Sequence, residues 1–132
     1  MAGLGIVVRD LSGHVLAGRC QRAPALTNNE AEYRAVIAGV ELLLREFPGA
    51  AAICLTDSQI VVEQISGRSA VRAESLRPLH TCLITMVQQL PSMHFRLIPR
   101  ALNQLADALA WEALNGRGAL QHVIRQHKEE RP

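Results

Sequence analysis

The apolar residues of this chain change period at Thr27, and that change limits the fold more than any other feature of the sequence. Before it, residues 4–9 and 14–22 are two short β-type runs joined by Asp10, Leu11, Ser12 and Gly13. Gly13 suits the left-handed position of a tight hairpin loop, so an antiparallel hairpin is expected. After it, Tyr33, Val36, Ile37, Val40, Leu43, Leu44 and Phe47 fall at spacings of three and four, the stripe of an amphipathic helix that Pro48 and Gly49 end. AAICLT, residues 51–56, reads as a strand buried on both faces of a parallel sheet and stops at Asp57. Residues 58–67 and about 75–90 read as helices, the second closed by Pro91. Residues 93–99 alternate as a strand, and Asn103 is the expected cap of a helix running to about Asn115 and closed by Gly116. This order of elements predicts an α/β layered domain.

Composition sets the outer bounds. A chain of 132 residues, 48% hydrophobic and 20% charged, fits one compact domain, expected over residues 1–116 with a polar tail or weak helix over 117–132. A net charge of +2 is compatible with a polyanionic partner but too mild to imply one. Cys20, Cys54 and Cys82 have no pairing or zinc-ligand spacing, as expected of reduced thiols in a cytoplasmic protein. The first apolar run is closed quickly by Arg9 and Asp10, and no later run approaches membrane-spanning length. No membrane association is expected.

Three acidic residues sit where chemistry is usually placed. Glu32 lies in the first turns of the long helix, three and four residues before Ala35 and Val36, so it borders the core-facing stripe. Asp57 ends the predicted buried strand, at the carboxyl edge of the sheet where α/β proteins hold ligands. Asp107 follows Asn103 by four residues, among Leu105, Ala106, Ala108 and Leu109. Three carboxylates from three elements could converge on one hard cation, and oxygen-only ligation suits magnesium or manganese. Each also has an ordinary reading: Glu32 as a charge favoured by the helix dipole, Asp57 as a helix N-cap, Asp107 as a helix surface residue. Glu30, Glu46, Glu63, Glu74 and Glu112 are read as ordinary surface charges, and Asp10 as a turn former.

TNNEAEYRAVIAGVELL, LTDSQIVVEQISG and IPRALNQLADALA, in this order and with these gaps, resemble the ribonuclease H type 1 family, specifically its short bacterial and archaeal branch. The resemblance covers residues 2 to about 115. It implies a mixed sheet, antiparallel hairpin plus parallel strands, with helices on both faces. It also implies metal-dependent endonucleolytic cleavage of the RNA strand of RNA–DNA hybrids with two magnesium ions. Glu32, Asp57 and Asp107 match three of the four metal-binding carboxylates of the family. Thr27, Asn28, Asn29 and Gln59 match positions that contact the hybrid, with Ser58, Arg100 and Asn103 beside them. The pattern is physically sensible, because an A-like hybrid displays 2′-hydroxyls in a wide, shallow groove where short amides can donate and accept.

The sequence departs from the family in three places. The strand that precedes the hairpin in the family, ending in Asp-Gly and supplying the fourth carboxylate, has no counterpart among these residues. The edges of residues 4–8 and 52–56 are therefore expected to lack a central neighbour and to recruit a strand, with a homodimer by strand pairing or exchange as one outcome. Arg100 stands where some relatives have a histidine in the loop. The basic substrate handle of larger relatives is reduced to a short stretch carrying Arg68 and Arg72. These departures predict impaired cleavage, and they leave a rival reading of a catalytically inactive nucleic-acid-binding or assembly module.

Overall fold

The computed structural model describes residues 2–9, 15–24, 27–99 and 101. These fall into two compact units, taken in turn.

The first unit contributes a two-stranded antiparallel sheet of β1 (Ala2–Arg9) and β2 (Val15–Ala23). Ala2 faces Ala23, Ile6 faces Arg19, and Val8 faces Ala17 before the register shifts at Arg9. Such a shift is a bulge, which sharpens local twist near the end of a ribbon. The expected hairpin is present. Its loop, residues 10–14, lies outside the described residues, as does the left-handed role assigned to Gly13.

The second unit is built from α1 (Asn28–Glu46), β3 (Ala51–Thr56), α2 (Gln59–Ile65), α3 (Arg77–Val87) and β4 (Ser92–Leu97). β3 and β4 pair in parallel, from Ala51 opposite Ser92 to Thr56 opposite Leu97. Tyr33, Val36, Val40, Val61, Leu76, Leu83 and Leu90 form the core between the helices and one face of this strand pair. Cys54, Met93 and Phe95 pack against it from the strands. The helices therefore lie on the face that Cys54 and Phe95 present. Burial of such side chains contributes about 1.5–3 kcal/mol each, and this is what holds α1 against α3 and α2.

Local signals explain the boundaries. Gly49 and Gly67, at φ +83° and +80°, supply left-handed turns after α1 and α2 that a Cβ would disfavour. α3 starts with Leu76 at its cap, with no side-chain cap bond and with proline in its first turn. Leu76 is spent on the core instead, at 2% exposure.

One expectation is corrected. β3 is not buried on both faces: Ala52, Cys54 and Thr56 face inward, whereas Ala51, Ile53 and Leu55 are exposed. An all-apolar run hides its alternation, because both faces carry residues that could be buried. The helix expected at about 103–115 lies outside the described residues. Among the described residues, β4 is the only strand laddered to β3, and β2 the only one laddered to β1. No described helix is long and apolar enough to cross a membrane.

Candidate nucleic-acid and metal site

The carboxyl end of β3 organises the site. Thr56 is buried, and its Oγ1 accepts from Ser58 N at 3.1 Å, which bends the chain around Asp57 as it leaves the strand. Ser58 then caps α2, its Oγ accepting from Val61 N at 3.3 Å. This displaces the ordinary reading of Asp57, since the capping duty belongs to its neighbour. Thr56 O also accepts from Ile98 N at 2.9 Å and so draws residues 97–99 alongside. The result is an open cavity of about 430 Å³ lined by Asp57, Gln59, Leu97, Ile98 and Pro99. It lies at the carboxyl edge of a parallel strand pair, where open α/β sheets place ligands. Leu97 explains itself here: alternation would turn it to the core with Met93 and Phe95, yet it is 49% exposed in the cavity wall.

The start of α1 forms a second polar surface. Thr27 has extended backbone angles, φ −133° and ψ 161°, and its Oγ1 accepts from Glu30 N at 3.2 Å. Thr27 is thus the N-cap, and Asn28 and Asn29 are exposed residues of the first turn that are not needed for that purpose. Glu32 is half-buried on the same helix, as its position beside the apolar stripe predicts. Glu30, read from sequence as an ordinary surface charge, is instead 8% exposed. The signal for it was available in the spacing Thr27-x-x-Glu30, a capping-box pattern that brings the third helical residue back against the cap.

Asp107, Arg100 and Asn103 lie outside the described residues. Among the described residues no group of three or more histidine, cysteine or acidic side chains is clustered to hold a metal ion. Glu32 and Asp57 supply carboxylate oxygens, the donor type that magnesium and manganese take, and the third carboxylate of the expected set is Asp107.

Two further residues escaped the sequence reading. Glu63 accepts from Gln59 Nε2 at 3.0 Å through Oε1, and from Ser69 Oγ at 3.2 Å through Oε2. Its signal was the four-residue spacing from Gln59, which puts both side chains on one helix face. Gln64, almost wholly buried, receives the hydroxyl of Tyr33. Burial pushes the Tyr33 hydroxyl up to about 12 and the Cys54 thiol to about 12, so both stay protonated at neutral pH and neither is a nucleophile there.

Comparison with known proteins agrees with this layout. The profile of the reverse transcriptase-like family matches residues 1–113. A bifunctional protein of Mycobacterium tuberculosis is 38% identical over 115 residues, 86% of this chain and 31% of that protein. Ribonuclease HI of Halobacterium salinarum is 32% identical over 114 residues, 86% of this chain and 57% of that protein. The chain thus spans about a third of the mycobacterial relative and somewhat over half of the archaeal one. The crystal structure of RNase H1 from Halobacterium salinarum superposes with a TM-score of 0.81 at 30% identity, covering 86% of this chain and 85% of that one. The N-terminal RNase H domain of the mycobacterial protein, solved as a fusion with maltose-binding protein, gives 0.79 at 36% identity, covering 91% and 85%. An RNase H1 solved in complex with an RNA/DNA hybrid gives 0.79 at 28% identity, covering 86% and 85%. On the matched profile, the shared identity and the superposed fold, this chain belongs to the reverse transcriptase-like family and carries the RNase H-like fold of the ribonucleases H.

Proposed function

We propose that this chain binds RNA–DNA hybrids and is built for metal-dependent endonucleolytic cleavage of their RNA strand in the cytoplasm. The observation that carries the reading is the cavity at the carboxyl end of β3, where Asp57 and Gln59 stand side by side. The exposed Asn28 and Asn29 at the start of α1 support it, as does the relative solved with a hybrid. Glu32, Asp57 and Asp107 would hold magnesium or manganese, two ions in the family. Bound there, the metal supplies activation of water and stabilisation of the leaving oxygen. The chain's own groups do the rest: Asn28, Asn29 and Gln59 take the groove, Thr27 lies beside a phosphate, Ser58 holds Asp57 at the cavity by capping α2, and Arg100 and Asn103 meet the backbone near the cut.

Among the described residues β3 is paired on one edge only, by β4; it carries no charge, proline or bulge, and exposes Ile53 and Leu55 at 49% and 55%. Edges of this kind recruit strands, so the reading includes self-association of two copies through β3.

The test is hybrid cleavage by this chain with magnesium and with manganese, beside a chain extended by an Asp-Gly-ending strand and beside Asp57→Asn. The expected result is metal-dependent cleavage that Asp57→Asn abolishes, with the extended chain showing what an added strand contributes. Hybrid binding with no cleavage under any of these conditions would assign the chain to the rival reading, a catalytically inactive binding module. Failure to bind hybrids at all would overturn both hybrid readings and leave the assembly module.

A further inference from the structure

Gln59 is the first residue of α2 and lies in the cavity wall beside Asp57. A free glutamine amide at an exposed position turns over readily, so it offers a donor and an acceptor with little preference. Here it does not have that freedom. Its Nε2 donates to Glu63 Oε1 at 3.0 Å, one helical turn on. An ionised carboxylate only accepts hydrogen bonds, so the side of the amide that faces Glu63 must be the NH₂ side. The carbonyl oxygen of Gln59 is then turned away from Glu63, and among the described residues it accepts no hydrogen bond.

Glu63 is itself held from behind. Its second oxygen accepts from Ser69 Oγ at 3.2 Å. Its backbone carbonyl accepts from Arg68 N at 2.9 Å, Ser69 N at 3.1 Å and Ser66 Oγ at 3.0 Å. Gly67, at φ +80°, lets the chain turn tightly enough to bring these donors back. Glu63 thus stands between the turn after α2 and the residue that opens α2. A single exposed pair four residues apart contributes little to a helix, whereas this arrangement uses both carboxylate oxygens.

We infer that Glu63 is a positioning residue that fixes the amide of Gln59 with its carbonyl oxygen outward, so that the site presents an acceptor to a hydrogen-bond donor on the nucleic acid. The inference rests on the hybrid-binding reading. In the shallow groove of a hybrid two groups can supply that donor: the exocyclic amine of guanine, which distinguishes G·C from A·T pairs there, and the ribose 2′-hydroxyl. The first would give the site a base preference, the second a preference for RNA at one position.

The experiment has a protein arm and a substrate arm. In the free protein, the side-chain amide protons of Gln59 are assigned by nuclear magnetic resonance through their loss in Gln59→Leu. The expected result is that they are shifted from free-glutamine positions and return toward them in Glu63→Ala, with Glu63→Gln as the conservative variant should alanine fail to fold. In the substrate arm, each guanine of a short hybrid is replaced in turn by inosine, which lacks the amine, and each ribose by its 2′-fluoro analogue, which cannot donate. Wild type should lose about fivefold in affinity at one position, the share of one hydrogen bond, and Glu63→Gln should lose that discrimination while keeping its melting temperature. Sensitivity to inosine names the guanine amine as the donor, and sensitivity to 2′-fluoro names the hydroxyl. Amide signals unmoved by Glu63→Ala and Glu63→Gln, or a Glu63→Gln variant that discriminates as wild type does, would overturn the positioning role. A wild type that binds no hybrid, with the amide signals moving as expected, would overturn the hybrid reading and the presentation of an acceptor to nucleic acid with it.

Discussion

The hydroxyl of Tyr33 donates to Oε1 of Gln64 at 2.5 Å, joining α1 to α2 across 31 residues of chain inside the core. Tyr33 has no exposed surface and Gln64 is 6% exposed, so neither group can turn to water for a replacement. Around them, Gln64 Nε2 donates to Ala70 O at 3.5 Å, and His80, whose ring stands edge-on to Tyr33, bonds the backbone carbonyl of Gln64 through Nε2 at 3.2 Å. A carbonyl only accepts, so His80 carries its proton on Nε2 in this arrangement. These bonds anchor the last turn of α2, while the Ser58 cap sets its start.

Tyr33→Phe therefore removes a donor and leaves a buried amide oxygen unsatisfied. The expected loss is about 1–3 kcal/mol of unfolding free energy, read by denaturant titration. A loss no larger than that of an exposed substitution would show that Gln64 finds another partner.

Alkaline pH should destabilise the fold through the same residue. The folded-state value of Tyr33 is raised from 10.0 to about 12 by burial. A raised value means its contribution is fully present below pH 10 and is lost as pH rises from 10 to 12, because the unfolded chain releases the proton first. The full loss is about 3 kcal/mol, from two units of displacement. The thiol of Cys54, raised from 9.0 to about 12, acts in the same direction from pH 9 upward. The chain has a single tyrosine, so tyrosinate absorbance reports Tyr33 alone. Titration in the folded protein near its ordinary value would refute the prediction.

At the start of α1, capping and groove contact are separable. Thr27→Ala should cost about 1 kcal/mol of stability through the lost bond to Glu30 N. Replacing both Asn28 and Asn29 by alanine should hardly move the melting temperature, yet weaken hybrid binding measurably. Unchanged affinity together with a large fall in melting temperature would make the asparagines part of the cap instead.

Metal dependence is checked by ligand-linked stability. Magnesium or manganese should raise the melting temperature of the wild-type chain with the logarithm of the ratio of ion concentration to its dissociation constant, and Asp57→Asn should remove most of that rise. An equal rise in both proteins would place the ion elsewhere.

Association through β3 is checked by sedimentation. Two copies are expected at micromolar concentration, and Ile53→Lys or Leu55→Lys, which puts a charge on the exposed face of the edge strand, should shift the chain toward monomer. A wild type that stays monomeric at high concentration would remove strand pairing from the reading.

Much of the molecule was legible in the sequence because it rests on local rules. The spacing of Tyr33, Val36 and Val40 made α1, Ser58 lay near the start of α2, and Met93 and Phe95 alternated with exposed His94 and Arg96 in β4, whereas either Thr27 or Asn28 could have capped α1 and the structure uses Thr27. Local sequence also determined the candidate groups, because three motifs in fixed order singled out Glu32, Asp57, Asp107, Asn28, Asn29 and Gln59 for chemistry. Tertiary structure decided what depends on residues far apart meeting. It made AAICLT a strand covered on one face only, since apolar residues do not say whether a neighbour arrives. It joined Tyr33 to Gln64, and it brought Leu97, Ile98 and Pro99 beside Asp57 to close a cavity. It also turned the charge at Glu63 into a hold on Gln59: the four-residue spacing could be read along the chain, but the second anchor, Ser69, reaches Glu63 only because the chain turns back at Gly67. Such contacts are set by burial and by the geometry of chain reversal, and neither is written in the period of the residues themselves.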